Sequence, residues 1–141
     1  MRLWSKDLLP VLPTMQLKGQ WRECCLIAKA LHDGNLNHIL VNRVKDYPED
    51  EFNAYADAVA KEMTKRGYKV DTWKFFKWRN DINSVLLSIT FRGWHNERYL
   101  RQCLYNLEEK AICGGIPANE WQKIYDVYSD RFDLWNGNEG E

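Results

Sequence analysis

The stretch TMQLKGQWRECCLIAKALHD, residues 14–33, reads as a helix that is apolar on two faces, with Arg22 and Glu23 at its centre. Taking Trp21 as zero and advancing roughly 100° per residue, Leu17, Trp21, Cys24, Cys25, Ala28 and Leu31 form one wide stripe. Gly19, Leu26, Ile27 and Ala30 fall on the other side, around Glu23. An amphipathic surface helix presents polar residues there. A carboxylate with Gly19 one turn before it and Ile27 one turn after it is therefore either paired with a cation from another segment or reserved for chemistry. Thr14 serves as a fair N-cap and Gly34, in the Asp33-Gly34-Asn35 turn, supplies the stop.

Upstream of this helix, Pro10 and Pro13 predict an extended or irregular arm over residues 1–13. Downstream, residues 36–47 carry Ile39, Val41 and Val44 without a clean period and read as extended or loop-like. A second helix is expected from Pro48 to Arg66. Glu49, Asp50 and Glu51 place acid at the positive end of its dipole, and Phe52, Tyr55, Ala56, Val59, Ala60 and Met63 repeat at helical spacing before Gly67. In residues 68–93, Trp73, Phe75, Phe76 and Trp78 alternate with Lys74, Lys77 and Arg79, and the run from Asp81 to Ile89 fits a short helix or a buried strand. A third helix spans Asn96 to Ile112, with Leu100, Cys103, Leu104, Leu107 and Ala111 on its apolar face. A fourth opens at Pro117 and buries Trp121, Ile124, Tyr125, Tyr128 and Phe132. The polar tail 136–141 reads as frayed. The expected architecture is mainly α, one compact domain over residues 1–141, with three to four helices and the N-terminal arm packed on the first.

Composition excludes several classes. No apolar run approaches the roughly 18 residues of a membrane span, and the stretch before the prolines lacks a signal-peptide core, so a cytoplasmic location is expected. The four cysteines, at 24, 25, 103 and 113, form no C-x-x-C pair and have no histidine at zinc spacing. Neither a metal nor another cofactor is expected. The formal net charge is zero, whereas nucleic-acid binders are more often basic, so only local clustering supports a DNA partner.

Standard phosphate loops, H-E-x-x-H and G-x-S-x-G are absent from the sequence. Three groups remain as chemistry. Glu23 has a pKa raised by desolvation or lowered by a nearby cation, depending on its surroundings. Arg22, about 100° from it on the helix, either covers apolar surface or grips a phosphate. The interleaved stretch from Trp73 through Lys74 and Lys77 to Arg79 is either core with a charged rim or a surface on which bases stack and cations hold phosphates.

These residues, in their order, resemble the pyrimidine-dimer DNA glycosylases, the family of phage endonuclease V. The start Met1-Arg2-Leu3-Trp4 is similar to the family's opening, and L-K-G-Q-W-R-E (17–23) to its first helix. Asn37-His38, K-R-G-Y-K-V-D (65–71), F-R-G (91–93) and L-E-E-K (107–110) follow in the family's order. The resemblance implies a compact helical domain acting as a monomer on damaged double-stranded DNA, by base removal and strand cleavage through a Schiff base. It assigns the nucleophilic α-amine to Met1, the catalytic carboxylate to Glu23, phosphate contacts to Arg2 and Arg22, and a candidate DNA contact to His38. An arginine at position 2 leaves Met1 in place, and Leu26 stands where the family carries a further arginine. Gly19 is the expected space for the arm to approach. The alternative is a non-catalytic nucleic-acid- or protein-binding module on the same scaffold.

Overall fold

The computed structural model describes residues 2–79, 83 and 85–139, with 133–139 described through their backbone alone. Among the described residues the secondary structure is helical and no strand occurs. Helix α1 spans Thr14–Asp33 and closes on Gly34 in the left-handed conformation, as its sequence predicts. Its N-cap is Pro13 and not Thr14. The exposed N–H of Thr14 is satisfied from outside the helix: Glu120 accepts hydrogen bonds from the Thr14 amide at 2.9 Å and from its hydroxyl at 3.0 Å. A distant carboxylate thus does what a local cap would do.

The arm is more ordered than its prolines suggest. Residues Lys6–Val11 form a 3₁₀ turn, which tolerates Pro10 because so short an element needs few amide donors. The segment 36–47 is also corrected, since Ile39–Lys45 is a helix, α2. Leu40, Val41 and Val44 are its buried residues, while Ile39 is almost fully exposed. A seven-residue helix offers too few positions to display a period, and the exposed isoleucine masks the one it has.

Helix α3, Glu49–Lys65, starts with Pro48 as its N-cap and buries Phe52 through Ala56 without a break, so it is enclosed on more than one face. The four-residue α4, Trp73–Phe76, is pinned by Phe75, which is fully buried between Trp21 and Phe52 at ring distances of 6.1 and 5.1 Å. Within the Asp81–Ile89 run, Asp81, Ile82 and Ser84 lie outside the described residues. Leu87–Ile89 is a 3₁₀ turn, with Leu86 and Ile89 exposed, so it is not a buried strand. Helix α5, Glu97–Ile112, is capped by the Asn96 side chain and buries Leu100, Cys103, Leu104 and Leu107 at helical spacing. Helix α6, Ala118–Glu139, kinks at Tyr128 and buries Ile124 and Phe132.

Helix α1 is the hub, with α2, α3 and α4 packed against it. Helices α5 and α6 pair with one another, and the 3₁₀ turn of the arm lies against α3 and α6. The first apolar face of α1 is core, and the second is divided, with Ile27 buried, Ala30 packed against the core and Leu26 facing out. Leu17, Trp21, Cys24, Ile27 and Ala28 are buried, whereas Leu26 is 60% exposed. No helix among the described residues is long and apolar enough to cross a membrane. The described residues contain no cluster of histidine, cysteine and carboxylate side chains able to hold a metal.

Candidate active site

The arm reaches the core through side chains. Residues 2–6 have no strand partner, so each buried polar group of their backbone must be met individually. Gln20, 2% exposed on α1, donates from Nε2 to the Arg2 carbonyl at 3.1 Å and accepts from the Trp4 amide at 2.6 Å. Tyr55 of α3 donates to the Trp4 carbonyl at 2.6 Å, and Tyr99 of α5 to the Leu3 carbonyl at 2.6 Å. The Lys6 amide donates to His95 Nδ1 at 3.0 Å, which places the ring proton on Nε2. Burial, with Lys6 and Arg43 nearby, pushes the His95 pKa down to about 3, so the ring stays a neutral acceptor.

The F-R-G turn supports this tether. Phe91 takes a positive φ of 53°, and its amide donates to Glu51 Oε1 at 2.7 Å. Its carbonyl accepts from the amides of Trp94 and His95. A non-glycine residue is held in the left-handed region only when its surroundings fix it there, and Phe91 is fully buried among Tyr47, Tyr55 and Trp94.

Where arm, α1 and α5 meet, a cleft of about 280 Å³ opens, lined by Arg2, Trp4, Gln16, Gly19, Gln20, Glu23, Asn106 and Lys110. Glu23 is half-buried and, among the described residues, makes no ion pair or hydrogen bond. Its carboxyl is held above the usual range by burial, against the opposing charge of His38. The reading of Glu23 as the partner of a lysine or arginine elsewhere therefore has no partner among the described residues.

The other expected site residues are distributed unevenly. Arg2 lines the cleft, its guanidinium 5.3 Å from the Trp4 ring. Arg22 is exposed, but its long stem folds back over the helix. Its Nη2 lies 3.7 Å from where a Cβ on Gly19 would stand. That is an ordinary contact distance, so a side-chain carbon would fit at Gly19, and no described arm atom approaches that position. Met1 lies outside the described residues. His38 is exposed and caps α2, its Nδ1 accepting the Leu40 amide at 3.1 Å.

Trp73, Lys74 and Lys77 form an exposed ledge beside α1, with Trp73 67% exposed. The two lysines lie near enough to Cys25 to draw its thiol pKa downward, against the burial that pushes it up to about 11. Trp78 packs beside them, 5.2 Å from the His32 ring and 4.9 Å from Lys77 Nζ. Arg79 does not join this ledge. Its side chain is only 5% exposed and donates to Asn53 Oδ1 at 3.0 Å, with the guanidinium over Phe52.

Sequence reasoning missed Gln20, Tyr55, Tyr99, His95, Asn106 and Gln16. Their roles depend on where the arm runs, for which the periodicity of a helix holds no signal. Gln20 and Lys110 enter the sequence reading only as members of L-K-G-Q-W-R-E and L-E-E-K.

Residues 1–75 match the family described as pyrimidine dimer DNA glycosylase. Comparison with curated proteins finds no match, and neither does comparison with solved structures. The match takes in the arm, α1 with Glu23 and the α3 tyrosine that binds the arm, and spans more than half of the chain. By this match the chain belongs to the pyrimidine dimer DNA glycosylase family, whose substrate is DNA.

Proposed function

We propose that this protein excises damaged bases from double-stranded DNA, pyrimidine dimers in the first place, and then cleaves the strand as an abasic-site lyase. The whole chain acts as one domain and as a monomer. The nucleophile is the α-amine of Met1 and the carboxylate is that of Glu23. An α-amine has an unperturbed pKa of about 7.7–8.0, so part of it is neutral near pH 7 without a side-chain base.

The reaction balances with these groups alone. The amine lone pair attacks C1′ of the damaged nucleotide as the C1′–N bond breaks, and the base leaves with the electron pair and gains a proton. The amine loses a proton, the sugar ring opens as O4′ gains one, and a protonated imine results. Removal of a C2′ proton breaks the C3′–O bond, releasing the 3′ phosphate, and water then hydrolyses the imine to free the amine. Glu23 carries protons in these steps and, when ionised, faces the cationic intermediates.

The observation that carries the proposal is the Glu23 carboxyl. It is partly desolvated and without a described partner, on the wall of a cleft that also presents Arg2 and Lys110. A carboxyl raised by burial holds a proton more readily than a solvated one, as a group that both gives and takes protons requires. Arg2, Arg22 and Lys110 supply cations for the phosphates flanking the flipped nucleotide. Trp73, Lys74 and Lys77 extend the binding face, offering one ring for stacking and two charges for the backbone, and His38 contributes a donor from Nε2.

Borohydride reduction in the presence of a duplex carrying a dimer or an abasic site tests the mechanism. The expected result is a covalent protein–DNA adduct, lost when the N-terminus is blocked. An absence of adduct, under conditions where a control lyase traps, sinks the lyase reading and leaves a DNA-binding module on this scaffold.

A further inference from the structure

Gln20 holds the arm at two points, the Arg2 carbonyl and the Trp4 amide, on either side of Leu3. Its amide has one workable orientation. Turned over, Nε2 would face the Trp4 N–H and Oε1 would face the Arg2 carbonyl, setting donor against donor and acceptor against acceptor. The Tyr55 hydroxyl, 2.6 Å from the Trp4 carbonyl and 3.0 Å from Gln20 Oε1, closes the same network from α3. A buried hydrogen-bond network of this kind rigidifies the groups it joins.

The position of this tether is as telling as its hydrogen bonds. Gln20 and Glu23 are three residues apart on one helix, which at about 1.5 Å rise per residue puts them on neighbouring turns of the same face. Both line the cleft. Helical geometry, and not a loop, therefore fixes the distance between the carboxylate and the point where the arm is held.

We propose that Gln20 is a positioning residue for the reaction. By fixing the Arg2 carbonyl and the Trp4 amide it sets the direction in which the chain leaves residue 2 for its N-terminus, and so aims the α-amine at a site measured from Glu23. Gln20 touches neither substrate nor reacting atoms and adds no chemical step. The assignment rests on the α-amine reading given above. It predicts that loosening the tether slows bond formation far more than it weakens DNA binding, because of the phosphate-facing cations only Arg2 lies on the tethered segment, whereas Arg22 and Lys110 stand on helices.

The test compares the unaltered chain with Gln20→Leu, which keeps the bulk and removes both hydrogen bonds. Three quantities are measured on an abasic-site duplex: the dissociation constant, the borohydride-trapping rate at saturating DNA, and the pH profile of that rate. The expected result is a trapping rate lower by on the order of 10–100-fold, with the shape of the pH profile unchanged and the dissociation constant changed far less than the rate. A merely structural glutamine would lower the melting temperature and leave trapping below that temperature untouched, and equal trapping rates overturn the assignment alone. No adduct from the unaltered chain overturns the α-amine reading and this assignment with it. Should Gln20→Leu not fold, Tyr55→Phe carries the same comparison, since it keeps the ring and frees the Trp4 carbonyl.

Discussion

The Tyr99 hydroxyl donates to the Leu3 carbonyl at 2.6 Å across 96 positions of sequence. Tyr99 belongs to α5, outside the residues 1–75 that match the family, whereas Leu3 belongs to the arm. Asn106 and Lys110 of the same helix line the cleft together with Glu23. The matched part of the chain thus supplies the arm and the carboxylate, and the remainder completes the cleft around them.

Replacing Glu23 by glutamine separates chemistry from stability. Trapping and strand cleavage should fall by about 10²–10⁴-fold, the range for loss of a proton-transfer group. Burial raises the Glu23 pKa above its usual value of 4.5, so the folded state binds this proton more tightly than the unfolded chain. Ionising the group therefore costs stability. The cost is absent well below pH 4.5 and complete once the pH passes the folded value. Glu23→Gln should melt higher than the unaltered chain at pH 7, and the gap should close in acid. A lower melting temperature at pH 7 would instead mark Glu23 as a partner in a structural ion pair.

His95 sets an acid limit on the tether. Its folded pKa of about 3 lies below the unperturbed 6.5, so the unfolded chain binds the extra proton first. This contribution is fully present above pH 6.5 and is lost as the pH falls toward 3, with a limiting slope of about 1.4 kcal/mol per pH unit. Urea unfolding at pH 7, 5 and 4 should reveal the loss, and His95→Gln should flatten it. An imidazolium signal from His95 near pH 6 in the folded protein would rule this out.

The ledge on α4 affords a test of binding without chemistry. Trp73 is 67% exposed, so Trp73→Ala should change folding stability by no more than about 0.5 kcal/mol. DNA affinity should nevertheless weaken by about 1–3 kcal/mol if a base stacks on the ring. Exchanging Lys74 and Lys77 together for glutamine should reduce the slope of log affinity against log salt by about 2. Fluorescence anisotropy on a labelled duplex measures both effects, and an unchanged salt slope would remove the ledge from the interface.

Glu120 joins the two ends of the fold by capping α1 from α6. Glu120→Ala leaves the Thr14 amide without that acceptor and should cost about 1–2 kcal/mol. Thermal unfolding of the two proteins measures it. A change smaller than a few tenths of a kcal/mol would mean that water replaces the carboxylate.

The chain's own pattern determined the long helices. The bounds of α1 follow from its periodicity and from Gly34, and α3 and α5 start and stop within a residue or two of their sequence signals. Such elements are legible because cap, dipole charges and apolar spacing agree within a few residues of one another. The order of weak motifs around Trp21-Arg22-Glu23 also sufficed to point to the family.

Tertiary structure alone decided three other matters. It made a helix of residues 39–45, because burial of Leu40, Val41 and Val44 outweighs an exposed Ile39. It turned Arg79 inward and left Trp73 outside, although the two share one aromatic–basic run. A fully buried Phe75 fixes how that run lies. It also converted Gln20, Tyr55, Tyr99 and His95 into the partners of the arm. Each of these bonds spans at least 16 residues. Periodicity reports which face of a helix is buried, but only the packed chain reports what a buried polar group on that face is bonded to.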